Sequence, residues 1–375
     1  MKPSTTSDPA RLSYDQAGVR YDVIDPLKLA AQHAAAETAV GLSRHGLSEV
    51  PESRGESAYV IDVGPFYLAS IVECLGSKAL VADEMATLTG VSRYDDIAQD
   101  TIAMAVNDLI TVGATPLVVQ AYWAAGGSRW FEDASRSRAL IEGWKRACHA
   151  CGVAWGGGET PALAGVVEAD RVDLAAACTG IVNPKQRLTL GASLQAGDAI
   201  VVLASSGIHA NGLSLARKLA ERLPDGYLTD IAPGLRYGDA LLAPTTLYVN
   251  TLESIAKAGI VPRYAANVTG HGWRKLMRHS ASLTYRISRV PAVPRVLSFI
   301  QEQAQLTPKE AYGTLNMGAG FALYVRPEDA ERCCELARAC GVDALVAGNV
   351  ETGPKRVIVE PLGVTFEAAD LHLRT

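Results

Sequence analysis

Three stretches of this 375-residue chain put ionisable or amide side chains where apolar residues or a bare turn would be expected. The first is "DTIAMAVNDLITVGATPL", residues 100–117, where Asp100, Asn107 and Asp108 sit among Met104, Ala105, Val106, Leu109 and Ile110. No lysine or arginine lies inside the stretch to neutralise the carboxylates. At about 100° per residue, Asp100, Met104, Asn107, Asp108 and Thr111 share roughly one helix face. Buried carboxylates need a cation or several donors. Magnesium, which takes one or two carboxylates together with substrate phosphates, would meet that need. The plainer alternative is that Asp108 caps or pairs elsewhere and that Asp100 is favoured by the helix dipole.

The second stretch is "SSGIHANGLSLARK", a glycine loop between an apolar strand and a helix. Backbone N–H groups at a helix N-terminus suit phosphate, and Ser205, Ser206, His209 and Asn211 add polar groups. The alternative is a structural turn with Asn211 as N-cap. The third is "GGGETPAL", where Gly156, Gly157 and Gly158 permit close backbone approach and Glu159 brings one carboxylate. The alternative there is a tight turn with Glu159 at the surface. "ECLGSK" sets Glu73, Gly76 and Lys78 just after a strand, an arrangement that could bind phosphate. "NVTGHGW" and "YGTLNMGAGF" are further glycine-bearing polar loops, carrying Thr269, Gly270, His271 and Asn316. There is no Walker A sequence, no G-x-G-x-x-G, and no Ser-His-Asp or Cys-His order to read.

Strands and helices in mixed order must position these groups. Strand-like runs "AYVIDV" and "FYLASIVE" precede the acidic helix. "PLVVQAYWA" follows it, then the amphipathic "ASRSRALIEGWKRACHAC", which should stop at Gly152, then the glycine loop and "VDLAAACTGIV". "NPKQR" is the best boundary, dividing residues 1–183 from 184–375. Beyond it, "AGDAIVVLA" reads as a buried strand, "LSLARKLAERL" as a helix, and "ALLAPTTLYVNTLESIAKAGI" as an interrupted helix. "FALYV", "RPEDAERCCELARACG", "DALVAGNVE" and "RVIVEPL" read as strand, helix, strand, strand. The class is α/β, or mixed α+β, with two domains as the length suggests.

Composition narrows the function. A net charge of −5 with no basic tract argues against a nucleic-acid partner. The start, "MKPSTTSDPARLSYDQ", has no apolar segment of the kind a secretory signal needs, and no apolar run reaches membrane-spanning length, so the expected home is the cytoplasm. Seven cysteines, with a lone C-x-x-C at Cys148 and Cys151 and no second ligand pair, read as ordinary reduced thiols.

Taken in order, "SYDQAGV", "DTIAMAVNDLITVGATPL", "GGGET", "SSGIHANGLSLARK", "LLAPTTLYV", "VTGHGW" and "TLNMGAGF" resemble aminoimidazole ribonucleotide synthetase, also called phosphoribosylformylglycinamidine cyclo-ligase. The likeness runs from about Ser13 to the C-terminal strands. It implies two α/β domains, with the N-terminal domains of a homodimer pairing into a central barrel. It implies ATP and Mg2+ as the reagents, and formylglycinamidine ribonucleotide as substrate. The amide oxygen would be phosphorylated, the amidine nitrogen would attack, and phosphate would leave as the imidazole closes. This is a step of purine synthesis.

The resemblance puts Asp100 and Asp108 with Glu73 at the metal. It sets Gly76, Lys78 and Asn107 at the nucleotide, and His209, Asn211 and Glu159 at the chemistry. Ser205, Ser206, Gly207, Thr269, Gly270, His271 and Asn316 would line the substrate cleft. The chain departs from the family in places. "VECLGSK" stands where "TDGVGTK" is usual, so Glu73 replaces aspartate and Cys74 replaces glycine. Gln32 occupies a lysine position, and Ala121 an aspartate position. The alternatives are another ATP-dependent phosphoryl transferase of the superfamily and a non-catalytic nucleotide-binding relative. Selenophosphate synthetase fits less well, since the first cysteine is Cys74. A hydrogenase-maturation relative would end in cysteine, where this chain ends "LHLRT". Thiamine-phosphate kinase matches the C-terminal motifs poorly.

Overall fold

The apolar runs of the two halves build two separate sheets, each with its own helices. The computed structural model describes residues 21–371, so the Ser13–Val19 motif lies outside the described residues. The first sheet has six strands: β1 (Ser48–Glu49), β2 (Tyr59–Asp62), β3 (Tyr67–Cys74), β4 (Thr115–Ala125), β5 (Ala154–Glu159) and β6 (Val172–Val182). Their order is β1-β2-β3-β6-β4-β5, antiparallel throughout except for the parallel β4–β5 edge pair.

Helix α1 (Tyr21–Glu37) and the short α2 (Val40–Ser43) lead into this sheet. Three longer helices follow: α3 (Lys78–Thr89), α4 (Tyr94–Leu109) and α5 (Ala134–Cys151). Helix α4 packs on β3 and β6 and against α5, so it is covered on nearly every side. That explains why the acidic stretch is apolar almost all round. Helix α5 matches the amphipathic stretch and ends at Gly152, whose φ of 65° places it in the left-handed region of a C-terminal cap.

The glycine run was expected to be a loop but forms edge strand β5. Its register on β4 needs the glycines: a Cβ on Gly158 would meet the Ala121 carbonyl oxygen at 2.0 Å.

The second sheet has seven strands, in the order β10-β12-β7-β13-β11-β14-β15. They are β7 (Ala199–Ala204), β10 (Tyr264–Asn267), β11 (Leu283–Ile287), β12 (Ala319–Val325), β13 (Ala344–Thr352), β14 (Arg356–Val359) and β15 (Val364–Glu367). A small hairpin, β8 (Asp230–Ala232) and β9 (Leu235–Arg236), stands apart. Strand β7 lies inside the sheet and is buried on both faces, as its unbroken apolar run anticipates. Around it are α6 (Leu213–Ala220), α7 (Tyr237–Leu241), α8 (Val249–Lys257), α9 (Arg295–Gln303), α10 (Pro308–Thr314) and α11 (Ala330–Ala339). The interrupted helix of the sequence is α7 and α8, separated by the irregular run 242–248. Among the described residues no helix is long and apolar enough to cross a membrane.

The halves are stitched together along that run. Gln99 Nε2 donates to the Thr245 carbonyl at 2.9 Å, and Asn107 Nδ2 donates to the Thr246 carbonyl at 2.8 Å. The Tyr248 N–H donates back to Asn107 Oδ1 at 3.1 Å. Polar residues on a buried helix are therefore used to satisfy a backbone that belongs to neither helix nor sheet.

Candidate active site

The polar residues of α4 divide between two environments. Asp100 faces the domain junction. Its carboxylate is fully buried, 2.8 Å from the ammonium of Lys78, which is equally buried. Lys78 also donates to the Ala243 carbonyl at 2.8 Å, while Asp100 Oδ1 accepts from the Thr245 N–H at 2.8 Å and from its hydroxyl. Burial pushes Lys78 down and Asp100 up, and each partner's charge opposes that push. The cation that the 100–117 stretch lacks is thus supplied by the first residue of α3. Asp100 and Lys78, expected at the metal and the phosphates, are not among the residues lining the cavity that Glu73 and Asp108 share. Asn107 is turned to the 246–248 backbone rather than to a nucleotide.

Asp108 faces the other way. It lines a cavity of about 310 Å³ between the domains, together with Glu73, Asn211, Thr269, Gly270 and His271. Strand β3 delivers Glu73 as its penultimate residue. Asn267, at the end of β10, holds Asp108 Oδ1 through its Nδ2 at 2.7 Å. The Asn211 Oδ1 accepts the Gly270 N–H at 3.1 Å, which joins the "HANG" loop to the "TGHG" loop. Asn211 is therefore not the cap of α6, whose N-cap is Gly212 with no side-chain cap bond.

His271 adopts a φ of 69°, uncommon for a residue with a side chain, and its imidazole is buried at the cavity wall, with Nε2 3.8 Å from Asp25 Oδ1. Burial, then the charges of Arg274, Lys275, Lys28 and Arg278, push it down to about 2, so it is neutral.

Of the remaining expected residues, those of the "SSGIHANG" and "NMGAG" loops fasten one loop to another. His209 is buried, with a φ of 60°. Its Nε2 accepts the Ser206 N–H at 3.2 Å, and burial, followed by the Lys78 charge, pushes it down to about 3. It is a neutral acceptor fixing its own loop. Asn316 joins three segments: it accepts from Ser205 Oγ at 2.9 Å, donates to the Gly207 carbonyl at 2.8 Å, and its own carbonyl takes the Trp273 Nε1–H at 2.7 Å. Ser206 Oγ donates to the Pro244 carbonyl at 2.6 Å. The last glycine of "NMGAG" serves the same packing, since a Cβ on Gly320 would meet Tyr248 Oη at 1.8 Å and His209 Cε1 at 2.8 Å. Glu159 is exposed at the end of β5, away from the cavity. Gly76, with a φ of 75°, forms the turn between β3 and α3.

Reading the sequence missed four cavity groups: Lys28, Glu56, Lys275 and Arg278. Arg278 is committed to structure, contacting Glu56 at 3.3 Å, Ser57 Oγ at 2.7 Å and the Gly55 carbonyl at 2.8 Å. Lys275 is buried and donates to Thr269 Oγ1. Burial pushes its ammonium down to about 8, against the pull of Asp108 and Glu73. Lys28 lies one turn before Gln32 on α1, and both line the cavity. The "WRKLMR" run directly after the "TGHG" loop was the available signal for Lys275 and Arg278.

The two carboxylates influence each other. Burial first, then the negative charge of Asp108, pushes the Glu73 carboxyl up to about 7, against Lys275, Arg278 and Lys28. A raised acid means the folded state holds a proton that the unfolded chain has released between about pH 4.5 and 7. This group's contribution to stability therefore falls as pH rises through that window, and the penalty is complete above it. Lys275, held at about 8, titrates above that window with the opposite slope. Without ligand, Glu73→Gln is expected to flatten the fall in thermal midpoint from pH 4.5 to 7 and to exceed wild type at neutral pH or just above. Identical pH profiles for the two proteins would refute the assignment.

The matching class of proteins is the AIR synthase related proteins. Their N-terminal domain model fits residues 55–182 and their C-terminal domain model residues 195–360. The phosphoribosylformylglycinamidine cyclo-ligase of Methanocaldococcus jannaschii is 36% identical over 298 residues, covering 78% of this chain and 81% of the relative. That of Thermoanaerobacter pseudethanolicus is 31% identical over 358 residues, covering 93% and 100%. The chain belongs to the phosphoribosylformylglycinamidine cyclo-ligase family. Among solved structures, T. maritima PurL complexed with FGAR superposes with a TM-score of 0.57 at 16% identity, over 86% of this chain and 48% of that one. AaThiL complexed with AMPPCP and TMP gives 0.55 at 16%, over 84% and 90%. At those identities the likeness establishes the fold.

Proposed function

We propose that this chain is an ATP-dependent cyclo-ligase that converts formylglycinamidine ribonucleotide to aminoimidazole ribonucleotide, with ADP and phosphate as by-products. The observation that carries the reading is the convergence of Glu73 and Asp108 with Lys275 and Lys28 on one cavity bounded by both family domains. Phosphoryl transfer is mostly positioning and charge neutralisation, and a site with both signs of charge on rigid elements suits it.

The cavity continues into an apolar space of about 700 Å³ lined by Ala31, Ala35, Tyr59, Ile71, Val72 and Ala177. Lys28, Gln32, Gly55, Glu56, Ser57 and Ile71 line both spaces. An adenine nucleotide has the matching polarity, an apolar base and an anionic end.

Among the described residues no group of three or more His, Cys, Asp and Glu could hold a metal. Magnesium does not ask for one, since it binds through one or two carboxylates and phosphate oxygens. Glu73 and Asp108 are such a pair, and their mutual repulsion is what a dication would relieve. Bound there, magnesium would neutralise the transferring phosphoryl group. The residues of this chain do the rest. Asn267 orients Asp108. Thr269, Gly270 and Asn211 shape the wall on which the ribonucleotide rests, and neutral His271 borders it without adding charge. Lys28 supplies positive charge from the helix face where the family has its lysine at the Gln32 position. His209 and Asn316 act through the loops they fix. The domains meet at residues 183–184, and a homodimer through the exposed face of the first sheet, where Val72, Leu117 and Tyr122 stand out, completes the reading.

A coupled assay with magnesium, ATP and formylglycinamidine ribonucleotide tests it. ADP and aminoimidazole ribonucleotide are expected in equal amounts. ADP formed with a different acceptor and not with this one would favour another phosphoryl transferase of the same fold.

A further inference from the structure

Lys275 is a buried cation of the cavity whose hydrogen-bonding capacity and partners do not balance. It lies in the short 3-10 turn Gly272–Met277, next to Leu276 and Met277, which together with Trp273 of the same turn are fully buried. The turn begins at the last glycine of the "TGHG" loop, and its buried neighbours carry the ammonium on a rigid base. An ammonium has three donors. Among the described residues Lys275 Nζ makes one hydrogen bond, to Thr269 Oγ1, and no ion pair. The other two cations of the cavity differ. Arg278 is saturated by Glu56, Ser57 and Gly55, and Lys28 is half exposed beside Asp25. Desolvating a cation and then leaving two donors without a protein partner is costly, and an anion arriving in the cavity would offset it.

We propose that Lys275 is a catalytic residue of this site: its ammonium contacts a non-bridging phosphoryl oxygen of the bound ligand, opposite the Glu73–Asp108 pair. The inference rests on the cyclo-ligase reading for the identity of the ligands, but not for the phosphoryl chemistry. Two sources share that chemistry, the polyphosphate of ATP and the phosphate of the ribonucleotide. Thr269 is then a positioning residue that holds the ammonium in place.

The test uses full-length wild type, Lys275→Met and Lys275→Arg, titrated with magnesium–AMPPCP, with formylglycinamidine ribonucleotide and with adenosine, followed by steady-state kinetics. Lys275→Met is expected to weaken at least one phosphate-bearing ligand by about tenfold or more, to leave adenosine unchanged, and to be partly rescued by arginine. Loss of AMPPCP affinity with a fall in kcat assigns the contact to the nucleotide. Intact AMPPCP binding with a raised ribonucleotide KM assigns it to the ribonucleotide. A second measurement avoids any folding defect in the variants. In the wild type, AMPPCP or ribonucleotide should protect Lys275 from amine acylation, mapped by mass spectrometry, and adenosine should not. Unaltered affinities in Lys275→Met, absent protection, or a wild type that binds no phosphate-bearing ligand would each overturn the proposal. A wild type that binds AMPPCP through Lys275 but forms no aminoimidazole product would instead overturn the cyclo-ligase reading alone.

Discussion

Asp108→Asn is expected to lower kcat by about 10³-fold while leaving the protein folded. Asparagine is nearly isosteric with aspartate. Its amide oxygen can still accept from Asn267 Nδ2, now 2.7 Å from Oδ1, so the packing of α4 against β10 survives. What disappears is one of the three carboxylates lining the cavity, the one beside Glu73. A dication and a triphosphate would then meet a site whose balance has shifted towards Lys275, Lys28 and Arg278. The variant also has a readout that needs no turnover. The Glu73 carboxyl is pushed up first by burial and second by Asp108, so removing Asp108 should bring it down from about 7 without returning it to the ordinary range. Carboxyl titration by NMR measures that shift directly. Turnover within about threefold of wild type would show that Asp108 does not stand at the reacting groups. An unmoved Glu73 titration would show that the two carboxylates are not neighbours in solution.

How much of this was legible beforehand depends on the residue. The elements were well marked, because period and punctuation coincide: α5 carries a clean amphipathic pattern closed by a glycine, and β7 an unbroken apolar run. Edge strand β5 was not legible. Three consecutive glycines have little strand propensity; at Gly158 β4 approaches too closely for a Cβ, while Gly157 has open space but a φ of 120° that favours glycine. Asp108 was singled out because charge inside an apolar context is costly and demands a reason, and Glu73 through the acid–glycine–lysine spacing of "ECLGSK" and the resemblance; both line the cavity. Asp100 carried the same local signal and answers to a different cause. Its partner Lys78 is 22 positions earlier, and the Thr245 backbone that completes its shell is 145 positions later. No spacing rule on one helix separates a carboxylate turned to a cavity from one turned to a domain junction. His209 and Asn316 show the same limit. Their loops are visible as glycine-bearing polar stretches, but whether a loop side chain faces ligand or fastens the next loop is decided by tertiary packing. Lys275 was missed because lysine among Arg274 and Arg278 looks like an ordinary charged surface run. Only burial reveals it.

The Lys78–Asp100 pair gives the largest expected effect on stability. Either single change, Lys78→Met or Asp100→Asn, should cost about 3–5 kcal/mol, because each leaves the partner charge buried without its counter-ion. The pair lies wholly within the junction of α3, α4 and the 243–245 run, at 0% exposure on both sides, so water cannot screen what remains. The double variant should cost clearly less than the sum of the two. In it the asparagine oxygen still accepts the Thr245 N–H, and the methionine fills the lysine's volume without a charge to satisfy. The pH dependence has a definite sign. In Lys78→Met the lone Asp100 carboxyl is raised further, so the folded state gains a proton that the unfolded chain lacks. Stability is then lost as pH rises and partly recovered in acid. Urea unfolding of the four proteins at neutral and mildly acidic pH measures all of this. Additive single and double effects, or single changes within about 1 kcal/mol of wild type, would mean that the ammonium and carboxylate are not held together as a dry ion pair. In that event Asp100 and Lys78 would be free to turn towards the cavity and serve the phosphates, as the motif alone suggested.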